Sequence, residues 1–344
     1  MLLFSILYGF WAVNAVAFDG DAMRHLARQF LALAERQKAT FPCMLGNRLM
    51  GISLFVTGDI VAGKAWLDQA IALYDPAKHR PLATRFGQDV GVTILIIRAL
   101  ALWTLGYPDT AFADSQHALK DARETSQAAT LMFALNYAGL IDICRRNHVD
   151  AAARAEELIA LAEEKSAVFW KAFGKMLQGS GLAMIGHASE AIDMSAAGLA
   201  ALRATGAKAF IPFNLLYLTR AYAELDQLDD AWHRIREAMT AIETTKERWC
   251  EPEAHRMAGE IALMSPEPDT AKAQSYFERA LAVARQQQAK SWELRAAISM
   301  ARLLRDQGKP GEARELLAPV YGWFTEGFDT LDLKEAKALL DELA

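Results

Sequence analysis

The run Gly58-Asp-Ile-Val-Ala-Gly63-Lys64 has the spacing of a phosphate-binding loop, G-x-x-x-x-G-K. In such a loop the backbone amides cradle phosphate oxygens and the lysine reaches the outer phosphates. The apolar residues from Ile52 to Val56 could pass for the strand that leads into it. The next residue undoes the assignment, because Ala65 stands where a Ser or Thr hydroxyl should hold magnesium. The same turn recurs without lysine around Gly106, Gly186 and Gly308, so repetition already explains both glycines. No nucleotide and no other cofactor is expected.

Metal and nucleophile chemistry has even less to build on. The seven histidines (25, 79, 117, 148, 187, 233 and 255) are dispersed, and none pairs with another His or a Cys at ligand spacing. Cys250, Glu253 and His255 form the nearest cluster, but a metal centre needs a fourth partner and convergence. No G-x-S-x-G elbow or H-E-x-x-H motif is present. Separated carboxylates on helices are most often solvated faces. The expectation is a protein that is not an enzyme and holds no metal.

Stepping out to composition, the chain has 344 residues, 53% of them hydrophobic, with only 10 prolines. This favours helix and argues against disorder. Its 37 basic and 42 acidic residues leave a formal charge of −5, which gives no electrostatic footprint for nucleic acid or an anionic membrane. Three distant cysteines, Cys43, Cys144 and Cys250, suit buried thiols in a reducing compartment, and a cytoplasmic location is expected. The uncharged stretch from Met1 to Phe18 could be read as a membrane or export segment, with Ala15-Val16-Ala17 as a weak cleavage signal. It lacks a positive n-region, contains Asn14 and runs into Asp19-Gly20-Asp21, so it is expected to be a buried first helix of the fold.

What positions everything is a repeat. A Gly or polar residue precedes a small residue by five positions at Gly58 and Gly63, Gly106 and Ala111, Arg146 and Ala151, Gly186 and Ala191, Asp226 and Ala231, and Gly308 and Ala313. Twelve residues before each of those small residues stands another: Gly51, Ala99, Gly139, Gly179, Thr219 and Ala301. Gly259 continues the row, its turn lengthened by Ser265-Pro266-Glu267-Pro268. The period is about forty residues, within the range of two-helix solenoid units. Two antiparallel helices pack closely only where the crossing carries little side chain, which is what the small residues supply. The predicted fold is therefore all-α, a right-handed α-α superhelix of about eight helix pairs forming one domain over 1–344. The pairs lie near 1–38, 42–74, 88–125, 127–165, 167–204, 209–244, 250–288 and 291–324, and a capping helix near 330–343 carries a charged outer face. The longest irregular link runs from Asp75 to Asp89.

This grammar resembles tetratricopeptide repeats, and particular strings go further. Ile71-Ala-Leu-Tyr-Asp-Pro76, Phe86-Gly-Gln-Asp89, Ala101-Leu-Trp-Thr-Leu-Gly-Tyr-Pro108, Ser291-Trp-Glu-Leu-Arg-Ala296 and the segment from Ala318 to Thr330 resemble the C-terminal repeat region of bacterial multidomain predicted ATPases. Asp332-Leu-Lys-Glu-Ala-Lys-Ala-Leu-Leu-Asp-Glu342 extends the resemblance, which covers almost the whole chain and is strongest from about Ile71. Those proteins often begin with a class III cyclase or DNA-binding domain followed by a signal-transducing ATPase. Neither part is present here, so neither activity carries over.

In tetratricopeptide-like solenoids the first helix of each pair lines the concave surface. Register from the small-residue row places Phe55, Trp103, Phe133 and Asn136 on that wall in the N-terminal half. In the C-terminal half it places Arg220, Glu253, Arg256, Glu260, Arg295, Arg302 and Arg305 there. An apolar groove turning arginine-rich would suit an acidic peptide tail. Alternatively these arginines pair with neighbours such as Glu253, Glu260 and Asp306. The expected function is a non-enzymatic scaffold or signalling module. Its partner would be a protein or peptide segment, including an ATPase or cyclase signalling protein. The alternative is a solenoid that senses a small-molecule effector. An open groove would favour the scaffold, and a closed apolar cavity the sensor.

Overall fold

The computed structural model describes residues 2–344, apart from the side chain of residue 85; Met1, assigned to the first pair, lies outside them. Helices α1 (Leu2–Ala17) and α2 (Gly20–Gln37) form the first pair, and α3 (Thr40–Val56) and α4 (Ile60–Ala72) the second. After α5 (Pro76–His79), a 3-10 turn (Arg80–Leu82) and α6 (Ala83–Phe86), pairing resumes with α7 (Val90–Thr104) and α8 (Pro108–Glu124). Helices α9 (Ala128–Cys144) and α10 (His148–Glu164) follow, then α11 (Val168–Met184) and α12 (Ala188–Ala204). The last pairs are α13 (Ile211–Glu224) with α14 (Leu228–Thr245), α15 (Glu251–Met264) with α16 (Thr270–Gln287), and α17 (Lys290–Asp306) with α18 (Pro310–Tyr321). Helix α19 (Leu331–Glu342) closes the stack. Among the described residues there is no strand. The chain is a right-handed, tetratricopeptide-like superhelix.

The recurring turn has one backbone cause. Gly58, Gly106, Arg146, Gly186, Asp226 and Gly308 all have positive φ, between 58° and 93°. A single left-handed residue ends the first helix and reverses the chain into the second. In the second pair the Gly58 amide donates to Phe55 O at 3.1 Å and the Asp59 amide to Leu54 O at 2.9 Å. Arg146 and Asp226 pay the steric cost of this conformation that glycine avoids. The segment from Asp75 to Asp89 is not the irregular link expected. Asp75 accepts from the Ala77 amide to start α5, and the Phe86 ring packs 5.1 Å from Phe41. Asp89 then caps α7 by accepting from the Val92 amide at 2.9 Å.

Helix α1 docks through Phe4 and Trp11, the latter donating to Ser53 Oγ at 2.9 Å. It is only half covered, because Leu2, Leu3, Phe10 and Val13 remain exposed. The expected burial of this helix is thus corrected. Its lack of charge reflects an outer stripe with no packing partner among the described residues, while the opposite end carries the charged cap on α19. No helix among the described residues is long and apolar enough to cross a membrane.

The superhelix closes on itself. The last carbonyls of a helix have no partner within it, and four first helices of the N-terminal half give theirs to the C-terminal half. Val16 O accepts from the Lys208 amide at 2.9 Å, and Val56 O from the Arg248 amide at 2.8 Å. Trp103 O accepts from Ser291 Oγ at 2.5 Å, and Cys144 O from Arg295 Nη2 at 2.5 Å. Rings fill the axis: Phe213 stacks on Trp249 at 5.0 Å, Trp249 lies 6.2 Å from Trp292, and Trp103 meets Trp292 edge-on at 4.6 Å. The accessible surface is 14059 Å². A compact single domain of 37.9 kDa should expose about 13,900 Å² by the size scaling of monomeric proteins. An open spiral would expose more, so the closure is nearly complete.

Candidate functional site

Closure divides the residues assigned to the concave wall. Phe55 is fully buried, 5.8 Å from the Trp249 ring. Trp103 sits against Trp292, and Phe133 packs 4.5 Å from Tyr137 and 6.0 Å from Trp170. Asn136 is buried beside a small interior gap with Leu140, Phe173 and Phe210. These four face inward as their register requires, but the returning half of the chain covers Phe55, Trp103 and Asn136, and Tyr137 and Trp170 cover Phe133. They are core, not an accessible apolar groove.

The space that closure leaves open lies between α13, α15, α17 and α19, beyond the end of α9. It is a cavity of about 320 Å³. Arg220, Arg256, Arg295 and Arg302 line it. Arg305 does not: it lies at the surface, 2.9 Å from Asp306 and 2.8 Å from Glu342. Arg146, from the left-handed turn after α9, joins the other four. Against these five arginines stand five carboxylates, Glu224, Glu253, Glu260, Asp332 and Glu335. The wall is therefore balanced in charge, and Arg256 pairs with Glu253 and Glu260 as the neighbour-pairing reading expects. The reason lies in helical spacing: Glu253 and Glu260 stand three residues before and four after Arg256, and Glu224 four after Arg220, so each can swing onto its arginine.

At the floor the pairing is close. Arg256 holds Glu253 through two parallel bonds of 2.8 Å, and its Nη1 lies 3.0 Å from Glu260 Oε1. Ser299 Oγ donates to that same Glu260 oxygen at 2.5 Å. Arg295 donates from Nε to Asp332 at 2.8 Å, with its guanidinium carbon 5.3 Å from the Trp103 ring centre and 5.1 Å from that of Trp292. Planar stacking on two indoles together with in-plane bonds is a role lysine could not fill. Burial alone would raise the Glu253 carboxyl, but Arg256, and then Arg295 and Arg220, hold it below the usual range. Burial likewise opposes the charge on Arg256 and Arg295, and the surrounding carboxylates more than offset it, holding both guanidinium pKa values above the ordinary range.

The rim is looser. Arg220 has Glu224 at 2.9 Å and a side chain 40% exposed. Arg302 has Glu335 at 3.4 Å and is 46% exposed. Arg146 bridges Glu335 at 2.6 Å and Asp332 at 3.4 Å, tying the N-terminal half to α19. The flank is apolar, with Met184, Leu216, Met257, Ile261, Met264 and Ile298. Methionine adapts its shape to what it meets.

Burial pushes the Cys144 and Cys250 thiols up, away from the reactive thiolate. Among the described residues no three His, Cys, Asp or Glu side chains converge as a metal site. At the phosphate-loop look-alike, Lys64 Nζ pairs with Asp68 at 2.6 Å, and the Gly63 amide donates to Asp59 O at 2.9 Å. A Cβ on Gly58 would lie 2.9 Å from Gln287 Nε2 and 3.3 Å from Arg248 Cβ, so the C-terminal half lies directly over the turn.

Sequence reasoning missed the aromatic axis and Glu247. Glu247 is wholly buried, accepting from the Phe210 amide at 2.9 Å and from Trp249 Nε1 at 3.0 Å, and its carboxyl is pushed up to about 8 by burial. The available signal was Trp249 and Cys250 in what should be a polar turn. Arg146 carried none, since it stands where other repeats have glycine.

No known protein family matches the chain, and none of the curated proteins does. Solved structures do. A Rap protein complexed with competence and sporulation factor superposes with a TM-score of 0.60 at 12% identity, covering 100% of this chain and 97% of its own. Aspartyl phosphate phosphatase F from Bacillus subtilis gives 0.54 at 12% identity, covering 86% of this chain and 74% of its own. The apo form of RapI gives 0.51 at 11% identity, covering 87% and 99%. At such identities the likeness is one of fold: this chain shares the helical-repeat architecture of those proteins along nearly its whole length.

Proposed function

We propose that this chain is a non-enzymatic, cytoplasmic helical-repeat module that receives a peptide or protein segment in the cleft between α13, α15, α17 and α19. The observation that carries this reading is the cleft itself. Aromatic rings fill the axis from Phe213 through Trp249 and Trp292 to Trp103, yet the superhelix leaves here a cavity of about 320 Å³ whose apolar flank faces a polar, charge-balanced floor. Recognition sites combine an apolar surface with a few placed polar groups in this way. A Rap protein of the same fold is seen with competence and sporulation factor, which supports a regulatory role. The strings resembling the repeat region of predicted ATPases point to an ATPase or cyclase signalling protein as the partner or parent.

A second reading, a small-molecule sensor, draws on the same volume, which lies at the lower end of the range for small-ligand sites. The two are separated by capture from native lysate, using the parent and the Arg220→Ala/Arg302→Ala variant, with captured proteins identified by mass spectrometry. The module reading expects one partner retained by the parent and lost by the variant. Identical capture by both would overturn it, and a heat-stable, low-mass species shifting the parent's melting would favour the sensor.

A further inference from the structure

The polar floor is saturated, the rim is not, and what the rim leaves unpaired is of both signs. Arg256 has its fork occupied by carboxylates, and Arg295 gives Nε to Asp332 and Nη2 to the Cys144 carbonyl with Nη1 3.8 Å from Glu253, so both are committed to partners already in place. Arg220 and Arg302 each keep one carboxylate and donors to spare. Among the described residues, the second oxygens of Glu260 and Glu224 have no hydrogen-bond partner, since the bonds to each carboxylate converge on its first oxygen. The hydroxyl of Tyr217, which also lines the cavity, has none either. Unused donors and unused acceptors therefore face one small space whose remaining flank is methionine and leucine.

A ligand carrying only acidic charge would meet five carboxylates, and one carrying only basic charge five arginines. A neutral hydrophobic ligand would strand the rim charges against its apolar body, at a desolvation cost. The ligand that satisfies all three surfaces is small, has both signs and bears an apolar side chain. We infer that the cleft binds a short free-ended peptide as a zwitterion. Its terminal carboxylate lies against Arg220 and Arg302, its terminal ammonium against Glu260 and Glu224, and its apolar side chains on Met257, Met264 and Leu216. Charge-assisted bonds at both ends then select free termini over the interior of a chain. This rests on the cleft being the binding site and specifies which segment enters it.

The test uses the full chain and four probes in calorimetric titration: leucyl-leucine, its N-acetyl form, its carboxamide, and the doubly blocked form. The free dipeptide should bind saturably, and each singly blocked form should be at least about tenfold weaker, as expected for losing a bond to a charged group. In Arg220→Ala/Arg302→Ala the carboxamide should no longer be penalised relative to the free dipeptide. In Glu260→Gln/Glu224→Gln the N-acetyl form should no longer be penalised. Equal binding of the free and doubly blocked forms would overturn the inference while leaving the cleft as a site for internal segments. Absence of binding by every probe up to about 1 mM would also overturn it, and lysate capture would then decide the broader reading independently. The four substitutions in these two variants replace exposed or half-exposed side chains, and matching melting temperatures would show that both variants fold.

Discussion

At the scale of single residues, the small-residue row separates into two kinds of crossing. A Cβ on Gly179 would stand 2.1 Å from Ser195 Oγ, 2.9 Å from Ser195 N and 3.0 Å from Ala191 O, so α11 meets the backbone of α12. The three atoms nearest a Cβ on Gly139 all belong to the Leu177 side chain, the first at 2.3 Å, and a leucine side chain can turn away. Gly179→Ala should therefore lower stability in denaturant titration by about 1–3 kcal/mol, the usual cost of overpacking. Gly139→Ala should cost clearly less, and equal losses would show that backbone contact is not what matters. The glycines were legible in the sequence because a crossing restricts residue size. Which neighbour each one meets first was not: Gly139 lies nearest Leu177 of the following repeat, and register along one helix does not fix that. Glu247 was illegible for a related reason, since its burial depends on strands of chain far apart in sequence. With a native carboxyl near 8 and an ordinary value near 4.5 when unfolded, the native state holds the extra proton between those limits. Stability must then fall as pH rises through that window. Asp142, raised to about 6 by burial, adds to the lower part of the window, and His255, lowered by burial, acts in the opposite sense below 6.5. The interval from pH 6.5 to 8 isolates Glu247. Glu247→Gln should flatten stability there, and an unchanged slope in urea titrations would assign the effect elsewhere.

At the scale of elements, the turn after α3 shows why a motif needs its setting. Phosphate loops work by leaving several amides pointing into open space. Here the Gly58 and Asp59 amides return to the end of α3 and the Gly63 amide is taken by α4. Val56 O is used by Arg248, and Gln287 Nε2 donates to Arg248 O at 2.9 Å across the same turn. A nucleotide would have to displace a contact between the two halves of the molecule. Titration with magnesium-ATP should show no saturable binding, and Lys64→Ala should behave as the parent. Saturable binding lost in that variant would restore the phosphate-loop reading. The helix pairs and their left-handed turns could be read from glycine spacing, since a reversal within a few residues needs positive φ and glycine adopts it at little cost. The Asp75–Asp89 segment was read as irregular because its prolines obscured three short helical turns, each too brief to show a period.

At the scale of the whole molecule, what remained hidden was curvature. Each repeat's sequence specifies its contact with the next, but closure depends on the small rotation per repeat accumulated over eight pairs, and that quantity has no local signature. Its consequence bears on where a partner could enter, because it converts an expected open groove into a filled axis with a cleft at the seam. The arginines of α15 and α17 line that cleft only because α19 and the end of α9 arrive opposite them. Closure also makes a prediction about size. A compact domain of this length has a radius of gyration near 20 Å by the usual scaling, whereas an open spiral of the same helices would scatter as a longer particle. Small-angle scattering should give a value close to that of the compact case. Trp249→Ala removes the ring that contacts Phe55, Phe213 and Trp292 together. Combined with Ser291→Ala, which deletes the bond to Trp103 O, it should loosen the seam and increase the radius while each helix pair keeps its own crossing. Far-ultraviolet circular dichroism should then stay near the parent's as the radius grows. A parent that already scatters as an extended spiral would refute the closure, and with it the cleft that depends on it.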